Sequence, residues 1–514
     1  MVHRDLRNHA VQRPFRARRK DLPISGGTLH TSINRMIGWS MNMTGNSRIS
    51  PLDRAATEPY YRQIYDRFRG AIANGVLKPG DRIPSARALT KELGLARGTI
   101  EAAYSLLAAE GYIQARGQAG TIVTPGLTPQ IQKAVAVPRP DRAVVAGNSF
   151  RPDSILPFQM GLPALDAFPR KLWARLGARC IRATQSTDMV HPSVFGLYGL
   201  RAAIAAYLQV SRGIDCAPSQ VFVTSGYRHT LELIAHALLK PGDRVWIENP
   251  GYPPTRELLG AMHMNGVPVP VDAEGMIVSE GLRLAPRARA AVVTPGHQSP
   301  LCVSLSLPRR LALLDWAARN HGWIIEDDYD GEYRYISRPL PALKSLDRDG
   351  RVLYAGTFSK VLLPALRLAY LVVPPEQVQR FEDVSHTFAG GSPQLAQAIV
   401  TAFIMEGHFA RHIQRMRRLY AERREATAAG LESVLHKYMR IDPQPGGMHL
   451  ILRLKGGRSD RRLVARMRDE GLYGEALTDW MASGRGASAV LLNFTNLGSQ
   501  GAAEVLGKRI LRVL

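Results

Sequence analysis

The chain has 514 residues, 45% of them apolar, and its 67 Lys and Arg against 43 Asp and Glu give a net charge of +24. That length suits about three domain-sized globular units, and the apolar content excludes a disordered chain. No run of eighteen apolar residues occurs, which excludes a transmembrane helix, and Cys180, Cys216 and Cys302 are too few for a disulfide framework and lack metal-ligand spacing. The positive excess points to a polyanionic partner such as nucleic acid.

Residues 1–56 hold ten basic and three acidic residues amid Ser, Asn, Thr and Met, and read as a disordered basic tail. Its arginines imitate a transit peptide, but Asp5, Asp21 and the lack of an amphipathic period argue against one. No apolar stretch of a secretory signal is present, so the expected location is the cytoplasm. Translation from Met36, Met41 or Met43 is the alternative reading of this segment.

Ordered structure is expected from about residue 57. Tyr61, Ile64, Tyr65, Phe68 and Ile72 recur with a helical period, stopped by Gly75 and Lys78-Pro79-Gly80. A second helix starts at Pro84-Ser85, with Ser85 as cap and Arg87, Leu89 and Leu93 along it, and ends at Gly94. A third runs from Arg97 to Glu110, with Ile100, Ala103, Tyr104 and Leu107 on one face. Residues 111–113 and 120–123 then read as two short strands about a glycine-containing turn. Three helices and a small hairpin make a winged helix-turn-helix over residues 57–125. Pro125, Pro129, Pro138, Pro140 and Pro152 mark residues 126–155 as a semi-extended linker. From 156 to 514, β-branched runs at 221–224, 244–247, 291–294, 323–326 and 352–354 alternate with helical segments, the pattern of an α/β domain with a largely parallel sheet.

In a helix-turn-helix the first residues of the second helix of the pair read base edges. Here these include Arg97, suited to a bidentate pair with guanine, and Thr99, suited to a phosphate or a thymine methyl. Arg87 is placed for the backbone, and Arg116 and Gly117 open the wing toward phosphates or the minor groove. Glu101 and Glu110 must face away from DNA. Taken singly, each arginine is as well explained as a solvated surface charge. With nine basic and six acidic residues in 57–125, affinity must rest on positioned groups and dimerisation rather than on bulk charge.

Three motifs of the large domain fit one chemistry. Pyridoxal 5′-phosphate requires an imine-forming lysine, an acid for its pyridine nitrogen and a phosphate cradle. The lysine is Lys360, in Tyr-Ala-Gly-Thr-Phe-Ser-Lys (354–360), and nearby cations together with exclusion of water are expected to ease its deprotonation. Arg367, Thr357 and Ser359 can bind the phosphate. The acid is Asp327, in Ile-Ile-Glu-Asp-Asp-Tyr-Asp (324–330), with Tyr329 close enough to bond the phenolic oxygen of the ring. The density of Glu326, Asp327, Asp328 and Asp330 also raises a metal site, but the run is not a calcium loop and has no histidine pair nearby. Residues 224–228, Thr-Ser-Gly-Tyr-Arg, form a strand–turn–helix junction whose free N–H groups suit an anion, although a plain capped helix gives the same sequence. Tyr252 can stack on the ring, or simply be a buried loop aromatic.

The stretches Pro-Gly-Asp-Arg-Ile-Pro-Ser-Ala-Arg-Ala-Leu (79–89), Leu-Gly-Leu-Ala-Arg-Gly-Thr-Ile (93–100) and Ala-Tyr-Ser-Leu-Leu-Ala-Ala-Glu-Gly-Tyr-Ile (103–113) resemble the DNA-binding domains of the GntR family of bacterial regulators. The motifs of the large domain resemble fold-type I aminotransferases. Residues 294–300 and the Glu-Asp-Asp-Tyr-Asp run are similar to the MocR subfamily, in which the two are fused. The resemblance spans about residues 57–514. It implies a winged helix joined to an α/β fold-type I, pyridoxal 5′-phosphate-dependent aminotransferase-like domain. It further implies a head-to-tail homodimer that binds operator DNA and senses the cofactor or an amino compound. Carried over residue by residue, it makes Lys360 the Schiff-base lysine, Asp327 the pyridine-nitrogen partner and Tyr329 the phenolic-oxygen partner. Tyr252 becomes the stacking ring, Arg367 a phosphate ligand, Tyr227 and Arg228 the cradle backbone, and His297 a contact near the ring.

There are departures. The tyrosine expected directly after Gly196 is displaced to Tyr198, and the turn expected as Ser-His-Gln-Phe-Pro-Thr-Gly reads Gly-His-Gln-Ser-Pro-Leu-Cys (296–302). Aminotransferases hold a substrate carboxylate with an arginine near the carboxyl end. Residues 475–481 offer Asp479 instead, with Arg485 nearby in a Gly/Ser loop, which disfavours a carboxylate and favours an amine. A regulator is the expected function, with enzymatic activity secondary. The alternatives are a working aminotransferase with an accessory DNA-binding module, and a regulator that has lost the cofactor, against which Lys360, Asp327, Tyr329 and Arg367 speak.

Overall fold

The computed structural model describes residues 52–53, 58–117, 120–126, 155–335, 341–388, 391–442, 446–484 and 486–514. Most of the expected tail and residues 127–154 of the expected linker lie outside the described residues. The chain divides into two compact units, residues 1–150 and 151–514.

In the first unit, α1 (Tyr60–Ala73), α2 (Ala86–Leu93) and α3 (Arg97–Ala109) precede an antiparallel hairpin of β1 (Ile113–Ala115) and β2 (Thr121–Val123). Ile64, Tyr65 and Ile72 of α1 meet Ile100, Ala103, Tyr104 and Leu107 of α3 in one core, because residues three and four apart share a helix face. Tyr61, expected on that face, is exposed. The Ser85 hydroxyl accepts the Ala88 N–H at 3.2 Å and caps α2, and Gly94 closes the helix in a left-handed conformation. Leu52 packs on this core, and Asp53 exchanges two hydrogen bonds with Gln63, so residues 52 and 53, assigned to the tail from sequence, take part in this unit.

The second unit is built on eight strands: β3 (Val221–Thr224), β4 (Arg244–Asn249), β5 (Asn265–Asp272), β6 (Gly275–Met276), β7 (Ala290–Val293), β8 (Trp323–Asp328), β9 (Val352–Thr357) and β10 (Ala369–Val372). Their order is β3-β10-β9-β8-β7-β4-β5-β6. The five from β9 to β5 are parallel, and β10, β3 and β6 run antiparallel to their neighbours. Alternation buries both faces. Val245, Ile247 and Ile325 enter one core, whereas Trp246 and Ile324 enter another. A smaller antiparallel sheet follows, in the order β11 (Met439–Asp442), β12 (His449–Leu454), β14 (Ala489–Asn493), β13 (Glu475–Ala476). The helices His408–Leu435 and Gln500–Arg512 bury Tyr420, Leu431 and Ile510 against Leu450, Leu452 and Leu492 of that sheet. Among the described residues no helix is long and apolar enough to cross a membrane.

The five expected strands are present. β5 was hidden by Pro268 and Pro270, which demote a run as a strand. Ser85→Ala is expected to cost the first unit about 1 kcal/mol and to speed hydrogen exchange of α2 amides about fivefold, read by mass spectrometry of exchange-labelled protein.

Candidate functional site

The five residues expected at DNA all lie at the surface of the first unit. Arg87 on α2, Arg97 at the start of α3, and Arg116 and Gly117 in the wing are exposed, and Thr99 is half-buried. Arg97 is not bare: its Nε donates to Glu101 Oε1 at 2.7 Å, one helical turn on. Glu101 is thus tethered at the reading end of α3. Glu110, in contrast, accepts from the Tyr65 hydroxyl at the far end of α3. The wing is closed by the Arg116 N–H donating to the Gly120 carbonyl at 2.8 Å.

In the second unit, the carboxylates at the end of β8 separate by strand alternation. Glu326 accepts the Leu343 and Lys344 N–H groups at 2.8 Å each, and burial pushes its pKa up to about 7. Asp328 accepts Arg212 Nε and the Tyr354 hydroxyl, both at 2.6 Å. Arg212 is 3% exposed and also pairs with Glu332 at 3.0 Å. Asp327, between them, faces the other way into a cavity of about 290 Å³. Each of its neighbours therefore has a partner of its own, and the described residues hold no cluster able to bind a metal ion.

The cavity is lined by Lys360, Asp327, Tyr329, Tyr227, Tyr252, Thr357, Ser359 and Arg367, drawn from strand ends and loops far apart in sequence. Lys360 Nζ donates to the Gly161 carbonyl at 3.1 Å, and a Cβ at Gly161 would collide with it. Burial lowers the Lys360 pKa, while the charges of Asp330, Glu475 and Asp327 oppose that shift. Its deprotonation is eased by exclusion of water, as the sequence suggested, whereas the charges that act on it are carboxylates that oppose deprotonation rather than the expected cations. Asp327 has no hydrogen-bond partner among the described residues. Burial, with Asp328, Glu248 and Asp330 nearby, raises its pKa well above the usual carboxylate range. Gly226, at φ +120°, opens the helix Tyr227–Leu238, and the Arg367 guanidinium lies where a Gly226 Cβ would crowd it. That guanidinium has no partner among the described residues. The Thr357 hydroxyl accepts the Ser359 N–H at 3.1 Å. The Tyr227 hydroxyl lies 2.6 Å from Thr255 Oγ1, and the Tyr252 ring stands between those of Tyr227 and Trp480, 5.7 Å from each.

Other expected residues stand elsewhere. His297 is buried but does not line the cavity. Its Nδ1 is 2.9 Å from Asp330 Oδ1 and 3.1 Å from the Tyr329 hydroxyl, so it braces both from behind. The Arg228 side chain is on the surface, paired with Glu257 at 3.1 Å, and only its backbone belongs to the helix start. Tyr198 is exposed beside Arg201. Asp479 is likewise exposed, bound by Arg461 at 2.5 Å, and the acid at the cavity wall is Glu475 with Trp480 beside it. Arg485 lies outside the described residues. Sequence reasoning missed Gly161, Ser299, His449 and Glu475. Glu475 was within the stretch searched, but the face each acid takes depends on the turn that follows β13. Cys302, in the altered turn, has φ +62°, and its Sγ is 3.4 Å from His449 Nε2. Burial alone would raise its thiol pKa, but His449 and His297 bring it down to about 6.

A winged helix joined to a sheet of aminotransferase topology defines a class of DNA-binding regulators. Residues 60–123 match the bacterial regulatory proteins of the gntR family, and residues 164–484 match aminotransferase class I and II. The chain is 38% identical to the probable rhizopine catabolism regulatory protein MocR of Rhizobium meliloti, over 82% of this chain and 87% of that one. It is 32% identical to the HTH-type pyridoxine biosynthesis transcriptional regulator PdxR of Corynebacterium glutamicum, over 76% and 82%. Among solved structures, LysN, the alpha-aminoadipate aminotransferase of Thermus thermophilus, is similar at 28% identity and a TM-score of 0.63, over 70% of this chain and 94% of LysN. The chain belongs to the MocR subfamily of GntR-family regulators and is an HTH-type transcriptional regulator.

Arg212 holds Asp328 and Glu332 out of water. Arg212→Met leaves two buried carboxylates without their cation, and is expected to destabilise the second unit by about 3–5 kcal/mol in urea unfolding followed by tryptophan fluorescence.

Proposed function

We propose that this regulator carries pyridoxal 5′-phosphate in the cavity of its second unit, and that cofactor or amino-ligand occupancy changes operator binding by the winged helix. The observation that carries the reading is the convergence on one cavity of three groups: Lys360, held on a backbone carbonyl, Asp327, without a donor, and Arg367, without an anion. They match the demands of an aldehyde, a pyridine nitrogen and a phosphate. When bound, the cofactor supplies a carbonyl carbon that captures primary amines.

The chain's own residues do the rest. Lys360 would hold the carbonyl end, its deprotonation favoured by desolvation. Asp327, raised by burial and neighbouring acids, would share a proton with the ring nitrogen, so that a buried acid gains the donor it lacks. Arg367, Thr357, Ser359 and the first N–H groups of the helix Tyr227–Leu238, including that of Arg228, would take the phosphate. Tyr329, steadied by His297, would donate to the phenolic oxygen, and Tyr252 would cover the ring. In the first unit Arg97 and Thr99 would read bases, Arg87 and Arg116 phosphates, and Gly117 would let the wing approach closely; Arg97 must exchange Glu101 for DNA. A head-to-tail homodimer, with residues 126–155 as linker, would bring two winged helices to two half-sites. A second reading, a working aminotransferase, needs the same Lys360, Asp327 and Arg367, and differs in requiring turnover.

The test is a gel shift on DNA upstream of the protein's own gene, at one fixed salt concentration, with and without pyridoxal 5′-phosphate. Specific retardation that the cofactor changes is expected, and Lys360→Ala should abolish that response while leaving cofactor-free binding in place. Retardation indifferent to cofactor, alone or with amines, would falsify the sensing role. Transamination with no specific DNA binding favours the second reading.

A further inference from the structure

The wall of the cavity beyond the groups assigned to the cofactor carries a chemistry of its own. Glu475, at the start of β13, has its carboxylate fixed by two donors, the Tyr473 hydroxyl at 3.1 Å and Trp480 Nε1 at 3.0 Å. It lines the cavity, and its charge acts on both Lys360 and Tyr252. Asp330, 1% exposed, also lines the cavity. Its Oδ1 is held by His297, and its Oδ2 is buried with no hydrogen-bond partner. An unpartnered buried acceptor is a position that a donor on a ligand would fill.

The cations facing this space, among the described lining residues, are Lys360 and Arg367, and both are taken by the cofactor in the reading above. His449 has its Nε2 on the Pro300 carbonyl at 2.9 Å and beside Cys302 Sγ at 3.4 Å; burial disfavours its charge and Cys302 favours it, so a positive charge there is matched by the thiol and not by a ligand. Behind the wall, β14 reads Ala-Val-Leu-Leu-Asn, and Leu491 is buried in an apolar cluster with Cys302, Leu477 and Trp480. A carboxylate brought to this wall would meet a fixed carboxylate and apolar backing, with no further lysine or arginine among the described lining residues to offset either. A hydroxyl or an ammonium would meet acceptors already in place.

We propose that the cavity selects a primary amine whose remainder donates hydrogen bonds, through hydroxyls or a second ammonium, and bears no acid group. Glu475 and Asp330 are the groups that recognise those donors. The inference rests on the cofactor reading and narrows it to one ligand class.

The experiment uses the full-length protein loaded with pyridoxal 5′-phosphate and follows the visible absorption of the bound cofactor. Two matched pairs are titrated: 2-amino-1,3-propanediol against serine, and 1,4-diaminobutane against ornithine. The acid-free member of at least one pair is expected to saturate the spectral change at a concentration at least about tenfold lower than its acid-bearing partner, the selectivity of one charge-assisted hydrogen bond. Which pair discriminates identifies the donor as hydroxyl or ammonium. Glu475→Gln should shrink that ratio about tenfold, with the bound-cofactor band reporting that the variant is folded. Equal or tighter response to serine and ornithine overturns the ligand class and leaves the cofactor reading standing. A ratio unmoved by Glu475→Gln removes Glu475 from recognition and overturns the assignment. A protein that acquires no visible band on loading defeats the cofactor reading itself, and the ligand class with it.

Discussion

The end of β8 brings four carboxylates within five residues, Glu326, Asp327, Asp328 and Asp330, into a part of the molecule where ionised groups are costly. Strand alternation resolves the conflict. Glu326 turns to backbone N–H groups, Asp328 to Arg212 and Tyr354, and Asp330 to His297. Asp327 is sent into the cavity with no donor to either carboxylate oxygen, beside Asp330, which keeps His297 on one oxygen. The site exists because its neighbours have been satisfied elsewhere. Arg212, reaching from the helix Tyr198–Arg212 to Asp328 and to Glu332 beyond them, is the cation on which that separation depends.

The remaining site groups come from strand ends, as expected where a mostly parallel sheet exposes its loops at one edge. Thr357 ends β9, Asp327 nearly ends β8, and Gly226 follows β3. Lys360 and Arg367 flank the turn between β9 and β10. The glycine at 161 matters for what it lacks, since a side chain there would occupy the space of the lysine ammonium. His297 illustrates support from outside the cavity. Burial disfavours its charged form, yet Asp330 and Cys302 hold its pKa well above the ordinary histidine value. Its Nδ1 stands against Asp330 and Tyr329, two residues of the cavity wall.

A regulator of this construction works only if ligand binding differs in free energy between states that bind DNA well and poorly. Under the proposed reading, the Arg97–Glu101 pair is one local element of such a balance, because it occupies an arginine exposed at the start of α3. An exposed pair of this kind contributes little to stability, so exchange for a guanine edge costs little.

Much of this was legible in the sequence. The winged helix followed from a 3.6-residue period, a serine cap and a terminal glycine, because such signals are local and each acts within a turn of helix. Lys360, Asp327, Tyr329, Arg367 and the Gly226 junction could be read from short motifs whose chemistry is self-contained. What distance along the chain conceals was decided by the tertiary structure. Gly161 meets Lys360 across 199 residues, and the small sheet of β11–β14 is formed by pairings that no local period announces. Asp479 and Glu475 lie four residues apart with the same chemistry, and sequence favoured the wrong one. The turn after β13 gives Asp479 to solvent and Arg461, and gives Glu475 to the cavity. Residue type and spacing determined which groups this protein has to work with. Packing determined which of them face the same space, since burial and partnership are properties of the folded neighbourhood and not of the residue.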